Sequence, residues 1–191
     1  IVGEDGFDGI ELDQTSNGKA FVEFQKQLLS LWQQGIILAI NSKNNFDDAM
    51  KVIREHPDMI LREKHFASIQ INWDDKAQNI KQIAEEINIG LNSIVFFDDD
   101  KLNQERIKQE FPEVLTVDMP NDPSQYSSIL TNLNDFNALQ RTEEDTKRGV
   151  MYAQQRQRKQ FENTVSNLDQ FLKQMDIKVK IKQSNGFLIP R

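Results

Sequence analysis

Two uninterrupted apolar runs constrain this chain most. Ile36-Ile37-Leu38-Ala39-Ile40 is apolar throughout, and Ile94-Val95-Phe96-Phe97 repeats the pattern after Ser93. A strand with one wet face alternates apolar and polar residues. A strand apolar on both faces belongs inside a parallel sheet covered by helices. Helical spacing surrounds each run. Phe21, Phe24, Leu28, Leu31 and Trp32 recur at helical intervals, with Asn17-Gly18 as a turn before them and Gly35 as a stop. Ala77, Ile80, Ile83, Ala84 and Ile87 form a second stripe, capped by Asp74 or Asp75 and closed by Gly90. Helical patterns also cover 46–55, 103–111 and 126–137, and 114–117 reads as a third strand. Residues 66–73 read as a connecting segment. This alternation predicts an α/β fold, a parallel sheet flanked by helices. In such sheets ligands bind beyond the carboxyl ends of the strands.

Composition narrows the chemistry. The chain has no cysteine, which excludes disulfides, a Cys-ligated zinc site and a thiol nucleophile of its own. Its two histidines, His56 and His65, make a His-rich metal site a poor expectation. No apolar run approaches the roughly 20 residues of a membrane span, and no signal-peptide pattern is present, so the cytoplasm is the expected compartment. Charge is unevenly placed: residues 1–140 carry a net −12 and residues 141–191 a net +5. An acidic body argues against nucleic-acid binding, which rests on phosphate neutralisation. The basic tail suits either an acidic partner or a solvated helix face.

The last third reads differently. Thr142-Glu143-Glu144-Asp145 is a helix-start signal, and Phe161, Val165, Leu168, Leu172 and Met175 form an apolar stripe. Residues 154–160 are polar and expected in solvent. Ile177, Val179 and Ile181 alternate with lysines, as in a half-buried strand. The expected organisation is therefore an α/β domain over 1–140 and, over 141–191, a long helix with a strand leading to a further domain.

Three polar features sit at predicted strand or helix ends. Ser42-Lys43-Asn44-Asn45 follows the first apolar run, where a hydroxyl and backbone N–H groups suit phosphate oxygens. The same loop equally suits a cap for the next helix. Lys76 lies in the first turn of a helix, where the dipole disfavours a cation unless an anion is near. Asp98-Asp99-Asp100 follows the second run. Adjacent carboxylates repel, and a hard divalent cation such as Mg²⁺ relieves that, although acids also suit a helix start. Hydroxyl, lysine and carboxylates together match what phosphoryl chemistry needs for charge neutralisation. A positioned nucleophile is not among them.

The order Ser42, Lys76, Asp98-Asp99 resembles the second, third and fourth motifs of the haloacid dehalogenase superfamily of Mg²⁺-dependent phosphotransferases. More narrowly, Val2-Gly3-Glu4-Asp5-Gly6, Ser42-Lys43-Asn44-Asn45, His56-Pro57-Asp58-Met59, Ile71-Asn72-Trp73-Asp74-Asp75-Lys76-Ala77, Asn88-Ile89-Gly90-Leu91 and Met151-Tyr152 resemble the FkbH-like family. The resemblance implies a Rossmann-like fold. It implies an enzyme that takes a phosphorylated three-carbon acid, typically 1,3-bisphosphoglycerate. Such enzymes remove phosphate and load the acyl group onto the phosphopantetheine thiol of an acyl carrier protein in polyketide assembly. On that basis Ser42, with Lys43 and Asn44, would bind the phosphate. Lys76 would stabilise its charge, Asp99 would ligate Mg²⁺, and Asp98 would assist or hydrogen-bond the metal's water.

The sequence departs from the family at several points. The first motif, a strand bearing the nucleophilic aspartate, is expected just before Ile1, and the chain alone is expected to be inactive without it. Asn41 stands where the family usually has cysteine, and Asp100-Lys101 replaces an asparagine-proline pair. Two other readings remain: a simple Mg²⁺-dependent phosphatase, or a docking domain that keeps the fold for its contacts. Arg156, Arg158 and Lys159 are the densest basic group for a carrier-protein contact.

Overall fold

A computed structural model describes residues 10, 12, 15–136 and 143–164. The chain divides into two compact units, Ile1–Arg156 and Gln157–Arg191. In chain order the elements are α1 (Ser16–Gln33), β1 (Leu38–Lys43), α2 (Phe46–Glu55), β2 (Phe66–Asn72), α3 (Lys76–Ile87), β3 (Val95–Asp98), α4 (Lys101–Glu110), β4 (Leu115–Asp118), α5 (Tyr126–Asn132) and α6 (Glu143–Thr164). Among the described residues no helix is long and apolar enough to cross a membrane.

Local chemistry sets the boundaries. Thr15 caps α1 by accepting from Gly18 N–H at 3.0 Å, and Gly35 takes a positive φ of 96° that turns the chain into β1. Asp75 caps α3 through Ala77 N–H at 2.8 Å, and Asp100 caps α4 through Leu102 N–H at 2.9 Å. Asn88, not Gly90, takes the left-handed position that ends α3, with φ 59°. Asparagine tolerates that region better than other non-glycine residues.

The expected parallel α/β architecture is present, as two parallel pairs. β1 pairs with β2 and β3 with β4, and the pairs are not hydrogen-bonded to each other among the described residues. Period-two alternation sorts their side chains to two helix layers. Leu38 and Ile40 join the cluster formed with α2, Leu28 and Leu29, while Val95 and Phe97 meet Phe24 of α1. On the opposite face Phe96 packs with Ala77 and Ile80 of α3 and Ile107 of α4. α1 with α2 and α5 thus covers one face, and α3 with α4 the other.

Between the pairs lies a hollow of about 650 Å³. Phe24 and Leu28 line it from α1, Ile80 and Ile83 from α3, and residues of β1 and β3 flank it. Its effect shows in burial. β1 has no fully buried residue, whereas β2 has four. Ala39 in mid-strand is exposed.

Several expectations change. Residues 66–73 are not a connector: Phe66–Asn72 is β2, paired with β1 from Leu38↔Phe66 to Lys43↔Asn72. Ser68 and Gln70 looked wrong for an inner strand, but both donate to the Glu86 carboxylate of α3. The same pairing draws Asn41, Ser42 and Lys43 into β1 rather than into a loop. In α6 the polar stretch is not wholly solvated. Arg156 is buried and reaches Glu63, with Nη2 3.5 Å from its carboxylate and 3.2 Å from its carbonyl. It is therefore withdrawn from the basic surface, leaving Arg158 and Lys159 exposed. Thr142, the stripe from Val165 to Met175 and the expected strand at Ile177–Ile181 lie outside the described residues.

Candidate active site

The carboxyl ends of the strands converge on one ion pair. Lys76, the first residue of α3, bonds through Nζ to Oδ2 of Asp98, the last residue of β3. The two side chains are only 13% and 2% exposed. The Asp98 Oδ1 accepts from Asp100 N–H at 3.0 Å, and its main-chain carbonyl accepts from the buried Gln104 amide. This pair explains how a lysine stands at a helix N-terminus: the aspartate offsets the unfavourable dipole. A buried pair gives little net stability, but removing one partner leaves the other charged and dry.

An amide network ties this lysine to the other strand pair. Asn41 Nδ2 donates to the Lys76 carbonyl at 2.9 Å. Asn79, completely buried in α3, donates to Asn41 Oδ1 at 3.1 Å and to Asn72 Oδ1 at 2.9 Å. Asn72 donates back to Asn79 at 3.2 Å. The ends of β1 and β2 and the first turn of α3 are thereby held in one register. Asn41 serves here as a structural amide. Asn79 was not anticipated. Its sequence signal is slight, an amide between Gln78 and Ile80 in a helix that carries other amides on its polar face.

The other expected residues fall on either side. Ser42 is half-buried at the same strand end, and its hydroxyl has no hydrogen bond among the described residues. Lys43 is exposed. Asn44 accepts from Asn45 N–H at 2.8 Å, and Asn45 in turn accepts from Trp73 Nε1 at 3.1 Å. Asn44 and Asn45 therefore extend the site toward α2 and Trp73. Asp99 is exposed, whereas Asp98 is buried. Asp99 lies on the α5 side, where burial first, then the charges of Asp99 and Asp122, push the Tyr126 hydroxyl pKa upward.

No cluster of three or more His, Cys, Asp or Glu side chains forms among the described residues. Mg²⁺ does not require one, since it is commonly held by one or two carboxylates with water and phosphate oxygens. Asp98 and Asp99 supply donors of that kind, hard oxygens at a strand end, so the donor chemistry fits.

No family model and no curated protein matches this chain. A solved structure does. The chain is similar to a phosphatase domain. That structure is the N-terminal part of protein BF1531 from Bacteroides fragilis, containing a phosphatase domain complexed with Mg. The two share 37% identity with a TM-score of 0.69, over 72% of this chain. The match spans 37% of the solved chain, well under two thirds of its length. The similarity is to the parallel α/β fold expected from the apolar runs.

Proposed function

We propose that this domain carries out Mg²⁺-dependent phosphoryl chemistry, releasing phosphate from a small phosphorylated acid. The observation that carries the reading is the buried Lys76–Asp98 pair at the strand ends, in a fold 37% identical to a Mg-bound phosphatase domain. Lys76 is poised to exchange its aspartate partner for a phosphoryl oxygen. The Ser42 hydroxyl donates to a second oxygen, with Lys43 and Asn44 adding charge and a donor toward α2. Asp99 and Asp98 are the residues that would hold Mg²⁺, which supplies further charge neutralisation at the phosphoryl group.

The narrower form of the proposal is acyl loading. A phosphorylated three-carbon acid such as 1,3-bisphosphoglycerate loses phosphate, and its acyl carbon passes to the thiol of an acyl carrier protein. The FkbH-like motifs support this. With asparagine at position 41 and no cysteine in these 191 residues, this stretch supplies no thiol of its own, and the acyl group passes to the carrier's thiol.

The test uses the polypeptide with its natural N-terminal sequence, Mg²⁺ and an acyl phosphate. Phosphate release is expected, and Lys76→Ala is expected to lower it at least ~100-fold. Acylated carrier protein, read by mass spectrometry, separates loading from plain hydrolysis. Release that survives Lys76→Ala, or that needs no divalent cation, contradicts the proposal. The docking-domain reading draws on Asp98 being buried against Lys76 while Asp99 stays exposed. Carrier binding without phosphate release would favour it.

A further inference from the structure

We propose that Gln104 is a positioning residue for the carboxylates of Asp98 and Asp99, and that Lys101 clamps it in place. The inference rests on the Mg²⁺ reading above and adds to it what aims those two side chains. Gln104 stands on the inner face of α4 and is completely buried. An amide is costly to desolvate there unless its ends are bonded. Both ends are. Nε2 donates to the main-chain carbonyl of Asp98, and Oε1 accepts from Lys101 Nζ at 3.3 Å. The same ammonium donates to the Met119 carbonyl at 2.9 Å, one residue past the end of β4. The β3–β4 ladder ends at the pair Asp98↔Asp118. One amide and one ammonium therefore join the two strand ends where the ladder stops.

The Asp98 carbonyl belongs to the peptide unit that joins Asp98 to Asp99. That unit is planar, so fixing its oxygen restricts ψ of Asp98 and φ of Asp99 together. Those two angles govern how the side chains leave the backbone. Asp98 turns in to Lys76 while Asp99 stays exposed. The first turns of α4 steady the same stretch from the other side. Asp98 Oδ1 accepts from Asp100 N–H at 3.0 Å, and Asn103 Nδ2 donates to Asp100 Oδ2 at 2.9 Å. Gln104 holds the backbone between the two carboxylates and bonds to neither of them, so it acts on a cation through geometry. Mg²⁺ is sensitive to that geometry, because it demands near-octahedral ligands at about 2.1 Å. Outer partners that orient metal ligands are typically worth about 10–100-fold in metal affinity.

Isothermal calorimetry of the full-length polypeptide with Mg²⁺ alone tests this, beside thermal melts. Gln104→Met keeps the length of the side chain and removes the amide. It is expected to weaken Mg²⁺ binding about tenfold or more. Lys101→Met leaves Gln104 its donor but releases its other end, and is expected to weaken binding by a smaller factor. Loss of a nearby cation would by charge alone tighten Mg²⁺ binding, so a weakening here is a signature of geometry. Ile107→Val loosens the buried face of the same helix without touching these bonds. It is expected to lower the melting midpoint and leave the Mg²⁺ affinity unchanged. Parent-like affinity in a folded Gln104→Met protein overturns the proposal, as does an equal loss of affinity in Ile107→Val. Lys101 is exposed, so its variant is expected to fold even where Gln104→Met does not. In that event, affinity in Lys101→Met equal to or tighter than the parent's overturns the proposal. A parent that binds no Mg²⁺ overturns the Mg²⁺ reading as well. A parent that binds it, with Gln104→Met binding equally, sinks the role of Gln104 alone.

Discussion

β1 and β2 end in the neutral groups Asn41, Ser42 and Asn72 and one exposed cation, Lys43, while β3 and β4 end in Asp98 and Asp118. The two pairs share one architecture, parallel strands between helix layers, yet finish in opposite chemistry. The neutral end is locked by the Asn41–Asn79–Asn72 network and offers donors. The acidic end offers hard oxygens. Lys76 joins them, bound through its carbonyl to Asn41 and through its ammonium to Asp98. On the proposed reading the difference divides a phosphoryl site between two halves of a fold: one half would grip the anion, the other would supply carboxylates for a cation, and Lys76 links the two.

The sharpest way to break this comparison is to cut the joint. Lys76→Met leaves the Asp98 carboxylate buried without its partner and is expected to cost about 3–5 kcal/mol. Adding Asp98→Asn in the same chain is expected to restore at least about half of the loss, since the stranded charge is then gone. Thermal or urea melts of the single and double variants measure this. Equal stability of Lys76→Met and the parent would mean that the two halves are not coupled through this pair.

The neutral half is tested next. Asn79→Leu removes both donors that hold Asn41 and Asn72, leaving their buried acceptors short, at an expected cost of about 1–3 kcal/mol. Asn41→Ala should cost less, because Asn79 keeps its bonds with Asn72.

How much of this was legible in the sequence depends on where the signal lives. The apolar runs at Ile36–Ile40 and Ile94–Phe97 announced their strands, because burial on both faces leaves no room for polar residues. β2 was hidden because Ser68 and Gln70 are paired with Glu86 eighteen and sixteen residues away, a partnership that no local period displays. Lys76 and Asp98 were visible as oddly placed charges at element ends. Their contact was not, since it depends on how α3 lies across two strand pairs. Arg156 was misread for the same reason: its partner Glu63 is 93 residues distant. The hollow left no mark in the sequence, because a run of apolar residues predicts burial and does not say which neighbour provides it.

The pH response should also separate the halves, by a smaller margin. His65, beside β2, has its pKa lowered, chiefly by burial and then by the charges of Lys64 and Arg62. The folded state therefore holds fewer protons there than the unfolded chain. Stability is full above the ordinary histidine range and is lost as pH falls below about 6.5. The Glu63 pKa is lowered, first by the hydrogen bond from Arg54, so its contribution is present above the ordinary carboxylate value and fades as pH drops below about 4.3. The melting midpoint is expected to decline in two stages on acidification. His65→Gln should flatten the first and Glu63→Gln the second. A variant with both changes and an unaltered profile would contradict this assignment.

The smallest expected effect lies in the acidic half. Asp100→Ala removes the cap on α4 and should cost about 1 kcal/mol, read from denaturant midpoints. A loss of several kcal/mol would mean that Asp100 belongs to the site and not only to the helix start.

The central claim, division of the site between a phosphate-gripping half and a cation-holding half, is most directly tested by titrating Mg²⁺ and substrate separately. The measurement is phosphate release by the polypeptide with its natural N-terminal sequence, comparing Ser42→Ala with Asp99→Asn. The account predicts that Ser42→Ala raises the substrate KM and leaves the Mg²⁺ requirement unchanged. Asp99→Asn should instead raise the half-saturating Mg²⁺ concentration about tenfold or more. If both variants move the same parameter, or if Asp99→Asn leaves the Mg²⁺ dependence where it was, the division does not hold.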